Sequence, residues 1–148
     1  MATIKRRSSA EWNGSGLEGK GSLTTTSEVL NDTPYSFNAR FKNENGKAGT
    51  NPEELIAAAH AGCFSMALSF QLGGAGFTPT FIKTEATVEL VSEGEGFKIA
   101  SIHLDVKGKV PKLADEQFKK LAEDAKVNCP ISKALSAVPI SMEAELIK

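Results

Sequence analysis

The spacing of apolar residues changes along this chain, and each regime predicts a different element. From Ser9 to Arg40 the residues are short, polar and β-leaning. Trp12, Leu23, Thr25, Val29, Tyr35 and Phe37 are separated by glycines and by the turn-like Asn31-Asp32-Thr33-Pro34, which predicts two or three antiparallel strands. The polar, glycine-bearing stretch from Lys42 to Thr50 reads as a loop leading to a helix start. That start is well marked: Asn51 suits the N-cap, Pro52 the first helical position, and Glu53 and Glu54 complement the positive end of the helix dipole.

Beyond the cap, Leu55 to Leu72 carries no formal charge and is apolar on every side of the helical wheel, so the pattern predicts a core helix covered all round. His60, Ser65, Ser69 and Gln71, with much alanine and glycine, set it apart from the roughly 20 strongly apolar residues of a membrane span. Gly73, Gly74 and Gly76 mark its end. Three later segments alternate as half-buried strands do: Thr84, Ala86, Val88, Leu90; Ala100, Ile102, Leu104, Val106; and Ile140, Met142, Ala144, Leu146. They are expected to pair antiparallel. Between the last two, Phe118, Leu121, Ala122 and Ala125 recur at helical spacing, opposite Lys119, Lys120, Glu123 and Asp124. A short helix is expected from Pro130 to Leu135. The pattern is α+β, with no repeat or linker, so residues 1–148 are expected to form one domain. A sheet of a few strands with one amphipathic helix is thin cover for an apolar helix about 33 Å long, which points to a homodimer packing two such helices together.

Composition narrows the functional classes. The 148 residues include 17 Lys and Arg against 18 Asp and Glu, a net charge of -1, so there is no bulk attraction to nucleic acid or anionic lipid. The first charged residues are followed by no apolar stretch, so neither a signal peptide nor an anchor is expected there, and the expected place is the cytoplasm. Two cysteines are too few for a disulfide framework in a reducing compartment; they are either packing or chemistry.

Cys63 lies near the middle of the long helix, and taken alone packing is its stronger reading. Cys129 lies where Pro130 opens a helix, so backbone N–H groups and the dipole favour its thiolate. Cys63 has no such terminus and needs a cation from elsewhere; Arg40 is a candidate. His60, one turn before Cys63, invites a Cys63/His60 pair, but a hydrogen-bonded, partly buried histidine is the more ordinary role. No metal site is expected, since the His and Cys spacing lacks the CxxC type.

Thr50 to Ser69, with Cys63 inside it, preceded by Tyr35-Ser36-Phe37-Asn38-Ala39-Arg40-Phe41 and followed by Asn128-Cys129-Pro130-Ile131-Ser132, resembles the OsmC/Ohr family of hydroperoxide-reducing proteins, nearer its OsmC (osmotically inducible protein C) branch. The resemblance covers essentially the whole chain. It implies an OsmC-like intertwined α+β homodimer, antiparallel sheets around long buried central helices, with two sites at the subunit interface. It implies a thiol peroxidase acting on organic hydroperoxides, and more weakly on hydrogen peroxide, in oxidative and osmotic stress defence. Cys63 would be the peroxidatic thiolate, Cys129 the resolving thiol, Arg40 the activating cation and Glu53 the carboxylate that orients it. No cofactor is implied, and the reductant would be a dithiol, such as a lipoyl-bearing protein. Gly62 departs from the alanine more usual in the motif. Glu53 and Cys63, ten residues apart in one helix, lie about 15 Å apart along its axis, so a shared site would take Glu53 from the other subunit. The rival readings are a cysteine hydrolase using Cys63 and His60, and a non-catalytic redox-sensing or ligand-binding dimer.

Overall fold

The computed structural model describes residues 2–148, which divide into two compact units, residues 2–55 and Ile56–Lys148. In the first, β1 (Ser8–Asn13), β2 (Lys20–Thr25) and β3 (Thr33–Tyr35) form an antiparallel sheet in that order. The register sets Trp12 against Gly21 and Gly21 against Tyr35. Only glycine fits there: a Cβ on Gly21 would lie 2.4 Å from the Tyr35 ring and 2.6 Å from that of Trp12. The two rings meet over it at 5.4 Å, tilted by 55°.

Two expectations for this unit need correction. Part of the turn-like Asn31–Pro34 run is strand: Thr33 and Pro34 pair with Leu23 and Ser22 at the sheet edge, where proline's missing donor costs no ladder bond, and the reversal is left to Asp32 at φ 48°. Arg40 lies on no strand but on a short helix, α1 (Phe37–Phe41), whose N-cap Ser36 accepts a hydrogen bond from the Ala39 N–H at 3.1 Å. One serine cap thus ends the extended segment and places Arg40 in a helical turn.

The long helix α2 runs from Pro52 to Gly74, 23 residues. Asn51 Oδ1 accepts from the Glu54 N–H at 2.7 Å, the expected cap bond. The far end closes in a Schellman motif: Gly76 takes φ 90°, its N–H bonds to Gly73 O, and the Phe77 N–H reaches Leu72 O. At this length α2 is long and apolar enough to cross a bilayer by length and composition alone, a test that the core helix of a globular protein passes as well.

In the second unit, β4 (Phe81–Glu93), β5 (Gly96–Lys109) and β6 (Ile140–Leu146) form a sheet in sequence order. The alternation holds throughout β4 and β6 and from Ile102 to Val106 in β5; before that a bulge opposite Glu89 and Leu90 leaves Ala100 unpaired, and Ile99 packs on the core in its place. β4 and β5 are antiparallel, but β5 and β6 are parallel, contrary to expectation. The reason lies between them: α3 (Asp115–Asn128) and α4 (Pro130–Ala134) form a crossover that returns the chain to the same end of the sheet, as parallel neighbours require.

The core of this unit gathers His60, Phe64, Leu68 and Leu72, one stripe at four-residue spacing on α2, with Ile102, Leu104 and Val106 of β5 and Phe118, Ala122 and Ala125 of α3. Gly108 lets the Phe118 ring approach β5 closely, since a Cβ there would meet that ring at 2.6 Å. α2 is not covered on all sides within the chain. Only 22% of its most apolar window is buried, and Met66 and Phe70 are 65% and 75% exposed. The sheet and α3 supply one buried stripe, and a helix apolar all round has a second face left over.

Candidate active site

The candidate residues fall into two pairs, one in each unit. Arg40 and Glu53 form the first. The guanidinium donates from Nε to both Glu53 carboxylate oxygens at 3.2 Å and from a terminal nitrogen to Oε1 at 2.5 Å. Local sequence explains the match: the Ser36 cap fixes the turn carrying Arg40, and the Asn51 cap fixes the first turn of α2 carrying Glu53. Arg40 also stacks over the Phe41 ring, 4.9 Å from its centroid, which restrains the side chain further. The arginine keeps 35% of its side chain exposed, and Glu53 only 12%. A forked cation held by a carboxylate on one edge still has N–H donors for an anion on another.

Cys63 and Cys129 form the second pair. Both thiols are free, and the sulfurs lie 3.0 Å apart, in hydrogen-bond contact. Cys63 is half-buried and Cys129 fully buried. Cys129 is at once the C-cap of α3 and the N-cap of α4, so its backbone is set by two helices that meet at Pro130. Its sulfur makes no regular cap bond with the α4 backbone. Local dipoles act on it nonetheless. Burial opposes its ionisation, but the Cys63 thiol, the Ser132 N–H and hydroxyl, and the Ile131 N–H together outweigh that, and the Cys129 thiol is held below its ordinary value. Cys63 is moved the other way. Burial pushes its thiol up, the Cys129 sulfur adds to the effect, and the Ile131 N–H only partly offsets it. The two thiols are thus displaced in opposite directions, Cys129 towards the thiolate and Cys63 away from it.

His60 faces away from the role a hydrolase would need. It is fully buried, its Nε2 lies 2.8 Å from Ser132 Oγ, and Nδ1 has no hydrogen-bond partner. The Cys63/His60 pair is not formed. Burial also lowers the imidazole's affinity for a proton, which keeps the ring neutral. Ser65 bonds back to Ala61 O at 2.8 Å, as a mid-helix serine does, and also to Thr84 Oγ1 at 2.7 Å. Sequence reasoning gave Ser132 no role, although it lies in the motif around Cys129. The available signal was its spacing: three residues after a cap cysteine, it returns to the cap one helical turn later. Among the described residues no group of histidine, cysteine, aspartate and glutamate could hold a metal ion.

With this geometry in view, the chain can be set beside known proteins. The family model described as OsmC-like protein matches residues 44–143. The chain is 50% identical over 135 residues to "Peroxiredoxin OsmC" of Escherichia coli (strain K12), covering 91% of this chain and 92% of the relative. It is 34% identical over 108 residues to "Organic hydroperoxide resistance protein-like 2" of Staphylococcus epidermidis, covering 70% and 74%. Among solved structures, the organic hydroperoxide resistance protein OhrB of Bacillus subtilis superposes with a TM-score of 0.68 at 27% identity, covering 94% of this chain and 98% of that one. The OsmC-like protein of Mycoplasma pneumoniae gives 0.76 at 15% identity, over 99% and 100%, a likeness of fold alone. The extent of the sequence match, and a fold shared with proteins of both the OsmC and the organic hydroperoxide resistance type, place this chain in the OsmC-like family.

Proposed function

We propose that this chain is a cysteine-based peroxidase that reduces organic hydroperoxides to alcohols through a Cys63 sulfenic acid and a Cys63–Cys129 disulfide. The observation that carries this is the reduced thiol pair with its sulfurs 3.0 Å apart, close enough for a disulfide to form between them with little movement. The names of the relatives, a peroxiredoxin and organic hydroperoxide resistance proteins, support it.

In the first step the Cys63 thiolate attacks a peroxide oxygen. An S–O bond forms, the O–O bond breaks, the sulfur loses two electrons, and the alkoxide leaves and takes a proton. In the second step the Cys129 thiolate attacks the sulfenic sulfur. The S–S bond forms, and the hydroxide expelled takes a proton and departs as water. An external dithiol, such as a lipoyl group on a carrier protein, then donates two electrons and restores both thiols.

The second step suits Cys129, but the first asks for a thiolate on the sulfur that is the weaker acid of the pair within its own chain. A fixed cation is therefore required, and the Arg40–Glu53 fork is the group available. Ten residues of helix rise about 15 Å, so we assign this fork to Cys63 of the partner subunit in a homodimer. The uncovered apolar face of α2, with Met66 and Phe70, is the surface we assign to that dimer. Residues 1–148 then act as one domain whose site is completed by a second copy, and the place of action is the cytoplasm. The family match running across the boundary between the two units supports that single-domain reading.

The test is direct. One equivalent of cumene hydroperoxide should consume both thiols and leave an intramolecular Cys63–Cys129 disulfide, identified by mass spectrometry of the digested protein. Cys63→Ser should abolish peroxide consumption, whereas Cys129→Ser should permit one turnover and leave a trapped sulfenic acid. Peroxide consumption that survives Cys63→Ser would refute the proposal.

A further inference from the structure

Among the described residues only two polar side chains are buried, His60 on α2 and Ser132 on α4, and they bond to each other, Nε2 to Oγ at 2.8 Å. A polar pair taken out of water gains little over an apolar pair of the same shape, so what it adds to a core is direction rather than strength. The bond joins the two helices that carry the cysteines, at matched places. His60 precedes Cys63 by three residues on α2, and Ser132 follows Cys129, the N-cap of α4, by three. The Lys133 N–H closes that turn of α4 on Cys129 O at 3.0 Å. The two helices therefore meet at two points one turn apart, His60 on Ser132 at 2.8 Å and the Cys63 sulfur on the Cys129 sulfur at 3.0 Å. The other hold on α4 is apolar, from Ile131 and Leu135 packed against the core. With five residues α4 is far below the roughly 12 a helix needs to stand alone in water, and apolar contact has no direction of its own. The sulfur contact changes at every step of the proposed cycle, whereas the His60–Ser132 bond takes no part in the chemistry.

We infer that the His60–Ser132 bond is a brace that keeps α4 in register on α2, and that by doing so it sets the protein's resistance to over-oxidation of Cys63. Two fates compete for the Cys63 sulfenic acid. In one, the Cys129 thiolate attacks it, an S–S bond forms, and the expelled hydroxide leaves as water. In the other, the sulfenic sulfur attacks a second hydroperoxide: an S–O bond forms, the O–O bond breaks, the sulfur loses two further electrons, and the alkoxide takes the sulfenic proton and leaves as alcohol. The product is a sulfinic acid, which a dithiol does not reduce. The first fate is intramolecular, and its rate scales with the fraction of molecules in which α4 is docked. The second scales with the concentration of peroxide. A brace between the helices therefore fixes the peroxide concentration at which the second overtakes the first. His60 and Ser132 touch neither peroxide nor sulfenic acid in this account; they are positioning residues.

The consequence for over-oxidation rests on the peroxidase reading, but the brace can be tested without peroxide. The equilibrium of the Cys63–Cys129 pair with reduced and oxidised dithiothreitol measures how well Cys129 is presented to Cys63. His60→Leu and Ser132→Ala should each move it about fivefold towards the free thiols, the effect of one hydrogen bond. His60→Gln, whose amide can place an N–H near the former Nε2, should recover most of that shift. Val106→Ala, a core truncation outside both helices, should lower thermal stability and leave the equilibrium in place. With cumene hydroperoxide and dihydrolipoate supplied together, the peroxide concentration that converts half of Cys63 to sulfinic acid, read by mass spectrometry, should fall about fivefold in His60→Leu and Ser132→Ala. An equilibrium unmoved in both variants, or moved as far by Val106→Ala, would overturn the inference. So would a shifted equilibrium with an unaltered over-oxidation threshold. If the equilibrium shifts but peroxide does not oxidise Cys63 of the native protein, the brace stands and the peroxidase reading fails. Ser132→Ala removes a single oxygen, so it remains informative if the larger change at His60 prevents folding.

Discussion

Replacing Arg40 by lysine keeps the charge and removes the fork, which separates two things a cation can do for a thiolate. Three contacts tie Arg40 to Glu53, two from Nε at 3.2 Å and one from a terminal nitrogen at 2.5 Å. A lysine ammonium at the end of a flexible stem can keep about one of them while still facing an anion. Hydrogen bonds between charged groups are worth about 1.5–3 kcal/mol when shielded. With 35% of the arginine side chain exposed, about 1 kcal/mol each is the fitting figure. Losing two contacts releases the cation's orientation by about 2 kcal/mol, which is about thirtyfold in rate. Arg40→Lys should therefore lower kcat/KM for cumene hydroperoxide about thirtyfold, and Arg40→Met, which also loses the charge, should lower it further. The measurement is stopped-flow peroxide reduction with dihydrolipoate as the reductant, alongside thermal unfolding to show that both variants fold. If Arg40→Lys stays within about threefold of the native rate while Arg40→Met is inactive, charge alone suffices and the argument from the fork is wrong.

Two further outcomes follow from packing. Gly108→Ala should destabilise the protein by about 1–3 kcal/mol, because the new Cβ would lie 2.6 Å from a fully buried Phe118 ring; thermal denaturation reads the loss, and adding Phe118→Leu should recover part of it. Phe70→Glu places a charge on the uncovered face of α2, where burying an aromatic side chain would stabilise association by about 1.5–3 kcal/mol. Sedimentation or light scattering should then show monomers in place of the proposed dimer of the native chain, with peroxide reduction lost as well. A Phe70→Glu protein that remains a fully active dimer would exclude this face as the interface.

How much of this was legible in the sequence depended on how local the determining physics is. The α2 cap at Asn51 and the alternation of β4 and β6 are set by residues adjacent in sequence, and they came out as read, whereas the bulge at Ala100 in β5 did not show in the pattern. The parallel pairing of β5 with β6 was missed because alternation records which face is buried and says nothing of strand direction. The helix under Arg40 was missed because five residues give no period to detect, and the deciding group is one serine hydroxyl. At the site, the unequal cysteines were half visible. The position of Cys129 at a helix start is a sequence signal, whereas the upward displacement of Cys63 comes from burial and from a sulfur 66 positions away. The Ser132–His60 contact spans 72 positions and leaves no periodic trace.

The crossover between β5 and β6 bears on more than strand direction. It carries Cys129 back to α2, so the two sulfurs meet across 66 positions of chain. A bond between them is a cross-link that closes most of the second unit into a ring. By loop-closure entropy, a ring of that size restrains the unfolded chain by about 4 kcal/mol. In the proposed cycle, then, the catalyst is stapled by its own chemistry for as long as it waits for a reductant, and each turnover alternates a tethered molecule with a looser one. An enzyme that works under oxidative stress would be hardest to unfold at the moment when oxidant is plentiful and reductant scarce.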